Sequence, residues 1–270
     1  MEPIAFTLFG LGVHWYGIII ALAIIGAVVL ACYNAKNRDF TSDDPFEIIM
    51  WVFLPAVIGA RLYYLIFNGG PWDTSAFAIW DGGLAVYGSI IGGAIGGIIY
   101  CLARKKSFLK LADFAVPSLI LGQSIGRWGC YFAGCCRGEI VTNPVWQFFP
   151  ISYEISGVWY LATFFYESFL CLIACALLTW LLKKVKWRGF VFGGYMIMYG
   201  IIRFFLEGLR YQPLMWGDIR VSQLLSLFVI LAGIAMMIFV IVKNKNQPLK
   251  FDKFEIVKEQ SQIKELPKGV

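Results

Sequence analysis

Charge is scarce in this chain. Only 15% of its 270 residues are charged, and 59% are hydrophobic. Soluble domains run near 25% charged, so a water-exposed globular body is excluded and a polytopic membrane protein is indicated. Histidine is nearly missing, with His14 alone. No phosphate loop, nucleophile elbow or zinc-protease motif occurs. Neither a cofactor nor a metal is expected, and no nucleic-acid partner. The residues before the first apolar run include Glu2 but no Lys or Arg. Secretory signals begin with basic residues, so that run is expected to stay as a membrane span. No internal repeat marks an inverted-repeat transporter. In lipid the backbone must satisfy itself, which favours helices, and no sheet is expected.

Long apolar runs, by contrast, are abundant. A span needs about 20 mostly apolar residues. Seven stretches qualify: Val13–Tyr33, Phe46–Phe67, Leu84–Leu102, Leu111–Phe132, Tyr160–Leu182, Phe190–Leu209 and Val221–Val242. The expected fold is an all-α transmembrane bundle of seven spans. Residues 1–243 are expected to form one membrane domain, and 244–270 a basic cytoplasmic tail. Asp43, Asp44 and Pro45 suit a helix start, and Gly69, Gly70 and Pro71 a break. In the third span Gly88, Gly92 and Gly96 recur every four residues, a spacing for close helix packing.

Basic residues set the orientation. Lys36 and Arg38 follow the first span, and Arg104, Lys105, Lys106 and Lys110 the third. Lys183, Lys184, Lys186 and Arg188 follow the fifth, and seven lysines from Lys243 to Lys268 the seventh. If the spans alternate, all of these lie on one side, which is then cytoplasmic. The N-terminus is expected outside and the C-terminus inside. The six basic residues left over are all arginines: Arg61, Arg127, Arg137, Arg203, Arg210 and Arg220. Arginine presents a flat fork that matches phosphate and carboxylate. An outward-facing cavity for an anionic group explains the selection better than interface anchoring alone.

Arg127 stands out within Gly122–Gly138, GQSIGRWGCYFAGCCRG. No charge precedes it between Ala115 and Ser124. At the bilayer centre an Arg costs about 2.5–3.5 kcal/mol on insertion scales, and no acid lies near it in sequence. In the sixth span Tyr199, Arg203 and Glu207 share one helix face at steps of four, so Glu207 can hold Arg203. Two arginines against one carboxylate leave a positive excess suited to a phosphodiester. Cys130, Cys135 and Cys136 invite a metal or redox reading. His14 lies in another helix and no second cysteine pair matches, which argues for a structural cluster or a disulfide. Cys32, Cys101, Cys171 and Cys175 sit in or beside apolar runs as small apolar residues.

Taken together, these segments resemble the bacterial prolipoprotein diacylglyceryl transferase family. The likeness runs from Trp15-Tyr16-Gly17 through Gly82-Gly83-Leu84, Gly126-Arg127-Trp128-Gly129, Phe165-Tyr166-Glu167-Ser168 and Tyr199-Gly200-Ile201-Ile202-Arg203 with Glu207, to Arg220-Val221-Ser222-Gln223. The family commonly carries His at the place of Tyr87, Asn at Cys130 and Glu at Cys135. The resemblance implies transfer of diacylglyceryl from phosphatidylglycerol to the lipobox Cys thiol of a prolipoprotein signal peptide, with glycerol phosphate leaving. The nucleophile then belongs to the substrate. Arg127, Arg203, Glu207 and Tyr87 are the implied catalytic residues. Arg127, Arg203, Tyr16, Tyr199 and Gly138 are the implied phosphatidylglycerol contacts. The implied location is the bacterial cytoplasmic membrane, with the active site towards the outer face. Intramembrane arginines would equally suit a transporter or channel for an organic anion, and a related lipid transferase with another acceptor also fits.

Overall fold

The computed structural model describes residues 4–8, 11–35, 40–41, 43–68, 83–211, 215–217 and 219–245. Seven helices long and apolar enough to cross a membrane organise it. They are α1 (Trp15–Asn34), α2 (Asp44–Asn68), α3 (Val86–Ala103), α4 (Phe108–Ala133), α5 (Thr163–Lys184), α6 (Phe190–Gly208) and α7 (Val221–Lys243). Each expected span has its helix. The expected Tyr160 start is corrected, because Tyr160 and Leu161 belong to a strand and the helix begins at Thr163. The expectation of no sheet is corrected too. Among the described residues three two-stranded antiparallel hairpins occur: β1 (Ile4–Leu8) with β2 (Leu11–His14), β3 (Ser152–Ile155) with β4 (Val158–Leu161), and β5 (Met215–Trp216) with β6 (Ile219–Arg220). All lie outside the seven spans, where the rule against open strands in lipid does not reach.

Helix α4 is the hub. It packs on α1, α5 and α6, while α2 seats mainly on α3, and α6 on α7. Gly88, Gly92 and Gly96 face the α2 backbone. A Cβ at these positions would collide with the carbonyls of Gly59, Pro55 and Trp51 respectively, so the spacing works as close packing. Val116, Ile120, Cys171, Leu178, Leu182 and Val191 form the largest core, between α4, α5 and α6. Cys171 is fully buried there as a small apolar side chain.

One end of the bundle is held by polar contacts near the lysine-rich loops. Arg104 Nε donates to Glu47 at 2.7 Å, Lys106 Nζ to Asp44 at 2.9 Å, and Lys183 Nζ to the Tyr33 hydroxyl at 3.0 Å. Buried Asp113 of α4 accepts from Gly189 N at 2.7 Å and Phe192 N at 2.8 Å. It thus caps the start of α6, a task for which Gly189 has no side chain. The basic tail from residue 246 on lies outside the described residues.

Candidate active site

At the opposite end α4 stops on Gly134, which has φ +63°. Cys135 N donates to Cys130 O at 3.2 Å and Gly134 N to Tyr131 O at 3.3 Å. This pair is the Schellman termination, which folds the residue after the glycine back over the last turn. Cys136, with φ +58°, continues the reversal. The chain then runs as a short strand between β4 and the end of α6. Leu161 N donates to Glu139 O at 2.9 Å, Glu139 N to Leu209 O at 2.9 Å, and Tyr211 N to Arg137 O at 3.1 Å. Gly138 bridges Arg210 within this ladder. A Cβ at Gly138 would stand 2.6 Å from Leu161, so its absence lets the backbones close. Among the implied lipid contacts, Gly138 acts here through packing.

This framework gathers three guanidiniums and two carboxylates. Arg127 Nη2 lies 2.7 Å from Glu167 Oε1 of α5, and Arg203 Nη1 lies 3.5 Å from Glu167 Oε2. Arg203 Nη2 donates to Glu207 Oε2 at 3.1 Å, and Arg210 Nη1 to the same oxygen at 3.4 Å. The expected Arg203–Glu207 pair is present. The reading of Arg127 as a cation without an acid is corrected: its partner comes from another helix. Glu167 Oε1 is close to Arg127 yet off the hydrogen-bonding direction, and Glu207 Oε1 has no hydrogen-bond partner among the described residues. Arg127 is therefore paired by charge without a closed fork. Three cations against two anions still leave one positive charge over. Tyr199 accepts from Arg127 Nη2 at 3.4 Å and stacks on Tyr195, which in turn accepts from Gln123 at 3.0 Å.

The other arginines do different work. Arg220 Nη1 donates to the end carbonyls of α6, at 2.8 Å for Glu207 O. Arg137 Nε donates to Gly134 O at 2.9 Å, and Arg61 Nη1 to Gly83 O at 3.3 Å. Of the six arginines whose selection suggested an anion cavity, Arg127, Arg203 and Arg210 are the ones that meet Glu167 and Glu207.

A cavity of about 450 Å³ opens between α1 and α4, lined by Tyr16, Ile20, Gln123, Gly126, Arg127 and Cys130 among others. Tyr16 reaches it because Gly129 is bare: a Cβ there would stand 2.9 Å from the ring. Tyr87 stands apart. It is half exposed, its ring 6.2 Å from that of Tyr63, and among the described residues no contact joins it to the arginines. Cys136 Sγ accepts from Arg210 Nη2 at 3.3 Å and lies 3.9 Å from Arg127 Nη1. Hydrogen bonds from Cys130 and Cys135, then Arg210 and Arg127, hold the Cys136 thiol well below its ordinary range. Sequence reasoning gave Glu167 and Arg210 no place among the site residues. A lone acid one turn into an apolar span was the available signal for Glu167, the same one that marked Arg127.

Comparison with known proteins matches the chain to one family. A family profile described as prolipoprotein diacylglyceryl transferase covers residues 3–239. A phosphatidylglycerol–prolipoprotein diacylglyceryl transferase of Clostridium botulinum (strain 657 / Type Ba4) is 42% identical over 251 residues, 90% of this chain and 100% of that protein. Its counterpart in Clostridium botulinum (strain Langeland) is 41% identical over 252 residues, 91% of this chain and 99% of that one. One from Clostridium kluyveri (strain NBRC 12016) is 38% identical over 252 residues, with the same coverage.

Proposed function

The chain belongs to the prolipoprotein diacylglyceryl transferase family, and from that premise we propose how its arginine cluster performs the transfer. The chain is a transferase that moves diacylglyceryl from phosphatidylglycerol to a prolipoprotein. Seven spanning helices and bacterial relatives fit a multi-pass protein of the bacterial membrane. The family match does not favour the anion transporter.

The acceptor is the lipobox Cys thiol of the signal peptide. As thiolate, it attacks the glycerol carbon that carries the phosphate. A C–S bond forms, the C–O bond breaks, and glycerol phosphate leaves with the electron pair. Arg127 and Arg203 bind the phosphate and stabilise the charge that builds on it. Glu167 and Glu207 hold those guanidiniums in place, and Tyr199 steadies Arg127. An acyl chain lies in the cavity between α1 and α4, past Tyr16. The lysine-rich loops face the cytoplasm, so the arginine end faces outward, where prolipoproteins emerge.

One observation carries this reading: three arginines converge on two buried carboxylates beside a mostly apolar cavity. The test incubates purified protein with labelled phosphatidylglycerol and a lipobox peptide. A thioether adduct with equimolar glycerol phosphate is expected. Lipid binding with no adduct would overturn the transfer.

A further inference from the structure

Resting on the transferase reading, the geometry points to a three-cysteine metal centre at Cys130, Cys135 and Cys136 whose open fourth position takes the acceptor thiol as its thiolate. The three Sγ atoms lie within 4.8 Å of one another. A tetrahedral zinc site with Zn–S near 2.3 Å sets its sulfurs about 3.8 Å apart, a small adjustment from that spread. All three cysteines are free thiols. The Schellman turn that ends α4 brings Cys135 over Cys130, and the left-handed Cys136 turns the third sulfur in. Structural zinc sites close with four protein ligands, while catalytic ones keep three and an open position. Among the described residues no fourth ligand completes this group.

Its place matters more than its ligand count. Cys130 and Arg127 line the same cavity, and Cys136 Sγ meets both Arg127 and Arg210. A thiol bound there sits beside the guanidiniums proposed to grip the phosphate. Three thiolates with one divalent ion carry a net charge of about −1, which Arg210 faces from 3.3 Å at Cys136, while Arg127 and Arg203 are the proposed phosphate ligands. The centre also supplies a way to deprotonate the acceptor, and among the described residues no imidazole stands beside the arginines. The lone imidazole, His14, belongs to the hairpin before α1, and Tyr87 is away from the arginines. A metal that binds the acceptor sulfur deprotonates it outright. The proton goes to water, the bound sulfur attacks the glycerol carbon, and glycerol phosphate departs. The neutral thioether is a weak ligand and leaves, and the ion stays divalent throughout.

The test uses the full chain in detergent. Metal-stripped protein is titrated with Co²⁺ and Zn²⁺, followed by bound-metal analysis and optical spectroscopy. One ion per chain is expected, with sulfur-to-cobalt charge-transfer bands that shift when lipobox peptide is added. Cys130→Ser, Cys135→Ser and Cys136→Ser should each abolish tight binding. Chelation of the wild type should slow transfer by about 10²–10⁴-fold, the range of an absent acid–base catalyst, and Zn²⁺ should restore it. Full transfer by the stripped protein overturns the proposal and leaves the transferase reading intact. Metal bound with no peptide-dependent spectral shift overturns the acceptor role. Absence of transfer in both stripped and loaded protein counts against the transferase reading, while the cobalt spectrum still decides the site.

Discussion

Arg127 Nη2 and Glu167 Oε1 stand 2.7 Å apart across the contact of α4 with α5, and no directed hydrogen bond closes between them. The guanidinium is held by charge and by two long contacts, Nη2 to the Tyr199 hydroxyl at 3.4 Å and Nη1 to Cys136 Sγ at 3.9 Å, with no closed fork. That suits a group that must grip an incoming phosphate, because a fully satisfied fork would resist being drawn away. The pair also keeps Arg127 tolerable at depth, since a buried charge without a partner costs several kcal/mol.

The proposed orientation gives the first expected result. Arg188 is exposed in the loop after α5, and Glu154 is exposed on β3. With accessible native cysteines replaced, Arg188→Cys should resist impermeant thiol reagents in intact cells and Glu154→Cys should be labelled. The reverse pattern would place the arginine cluster on the cytoplasmic side.

Much of this was legible in the sequence because lipid restricts the choices. A span announces itself by length, and the Gly88, Gly92 and Gly96 spacing tells which face another backbone approaches. The Arg203–Glu207 pair was readable because both residues lie on one helix. Glu167 was not, since the α4–α5 contact that delivers it to Arg127 depends on packing, which no local spacing encodes. The partners of Arg137 and Arg220 were hidden for a similar reason: carbonyls at helix ends hold them, and sequence does not say which carbonyls end up within reach. The hairpins escaped because a membrane rule was extended to connecting loops. The meeting of Cys130 with Cys135 was within reach, given a glycine just before Cys135 to end the helix.

Packing between α2 and α3 makes a direct prediction. A Cβ at Gly92 would run into the Pro55 carbonyl, which is backbone and cannot swing aside. Gly92→Ala should therefore cost about 1–3 kcal/mol and lower the thermal midpoint in detergent. Gly17→Ala is the control: nothing stands within 4 Å of a Cβ there and its backbone is not left-handed. An equal midpoint for Gly92→Ala and the wild type would mean the two helices part more readily than the contact implies.

Asp113 should show the worth of a cap lent by another helix. Its carboxylate serves Gly189 N and Phe192 N, and it is fully buried. Asp113→Ala strands two amides and should cost about 1–2 kcal/mol as a lost cap. Asp113→Asn keeps one acceptor oxygen and should fall between. Hydrogen exchange at the start of α6 is the measurement, and unchanged protection in Asp113→Ala would deny the cap.

Glu207 holds Arg203 and Arg210 through one oxygen, Oε2. Glu207→Gln keeps an acceptor and removes the charge. Hydrogen bonds to charged groups are worth about 1.5–3 kcal/mol, so transfer should fall roughly tenfold to a hundredfold. The loss should appear in kcat more than in the KM for phosphatidylglycerol, because the arginines would still attract the phosphate but no longer be aimed. A variant of reduced abundance with intact specific activity would restrict Glu207 to folding.

Arg127 carries the proposed mechanism most directly. Arg127→Lys keeps the charge and loses the fork, so transfer should be badly impaired. Arg127→Ala should lose about a hundredfold to a thousandfold in rate, the usual consequence of removing a donor that stabilises developing charge. That variant also strands Glu167, whose remaining cation is Arg203 at 3.5 Å. Breaking a buried pair costs about 3–5 kcal/mol, and the penalty here should be smaller because Arg203 stays. Adding Glu167→Gln to Arg127→Ala removes the stranded charge. The double variant should regain thermal stability and none of the transfer activity, which separates folding from catalysis. Single-turnover transfer to a lipobox peptide, measured beside the thermal midpoint, decides the matter. A double variant that regains both would show that Arg127 served only to hold Glu167 in place.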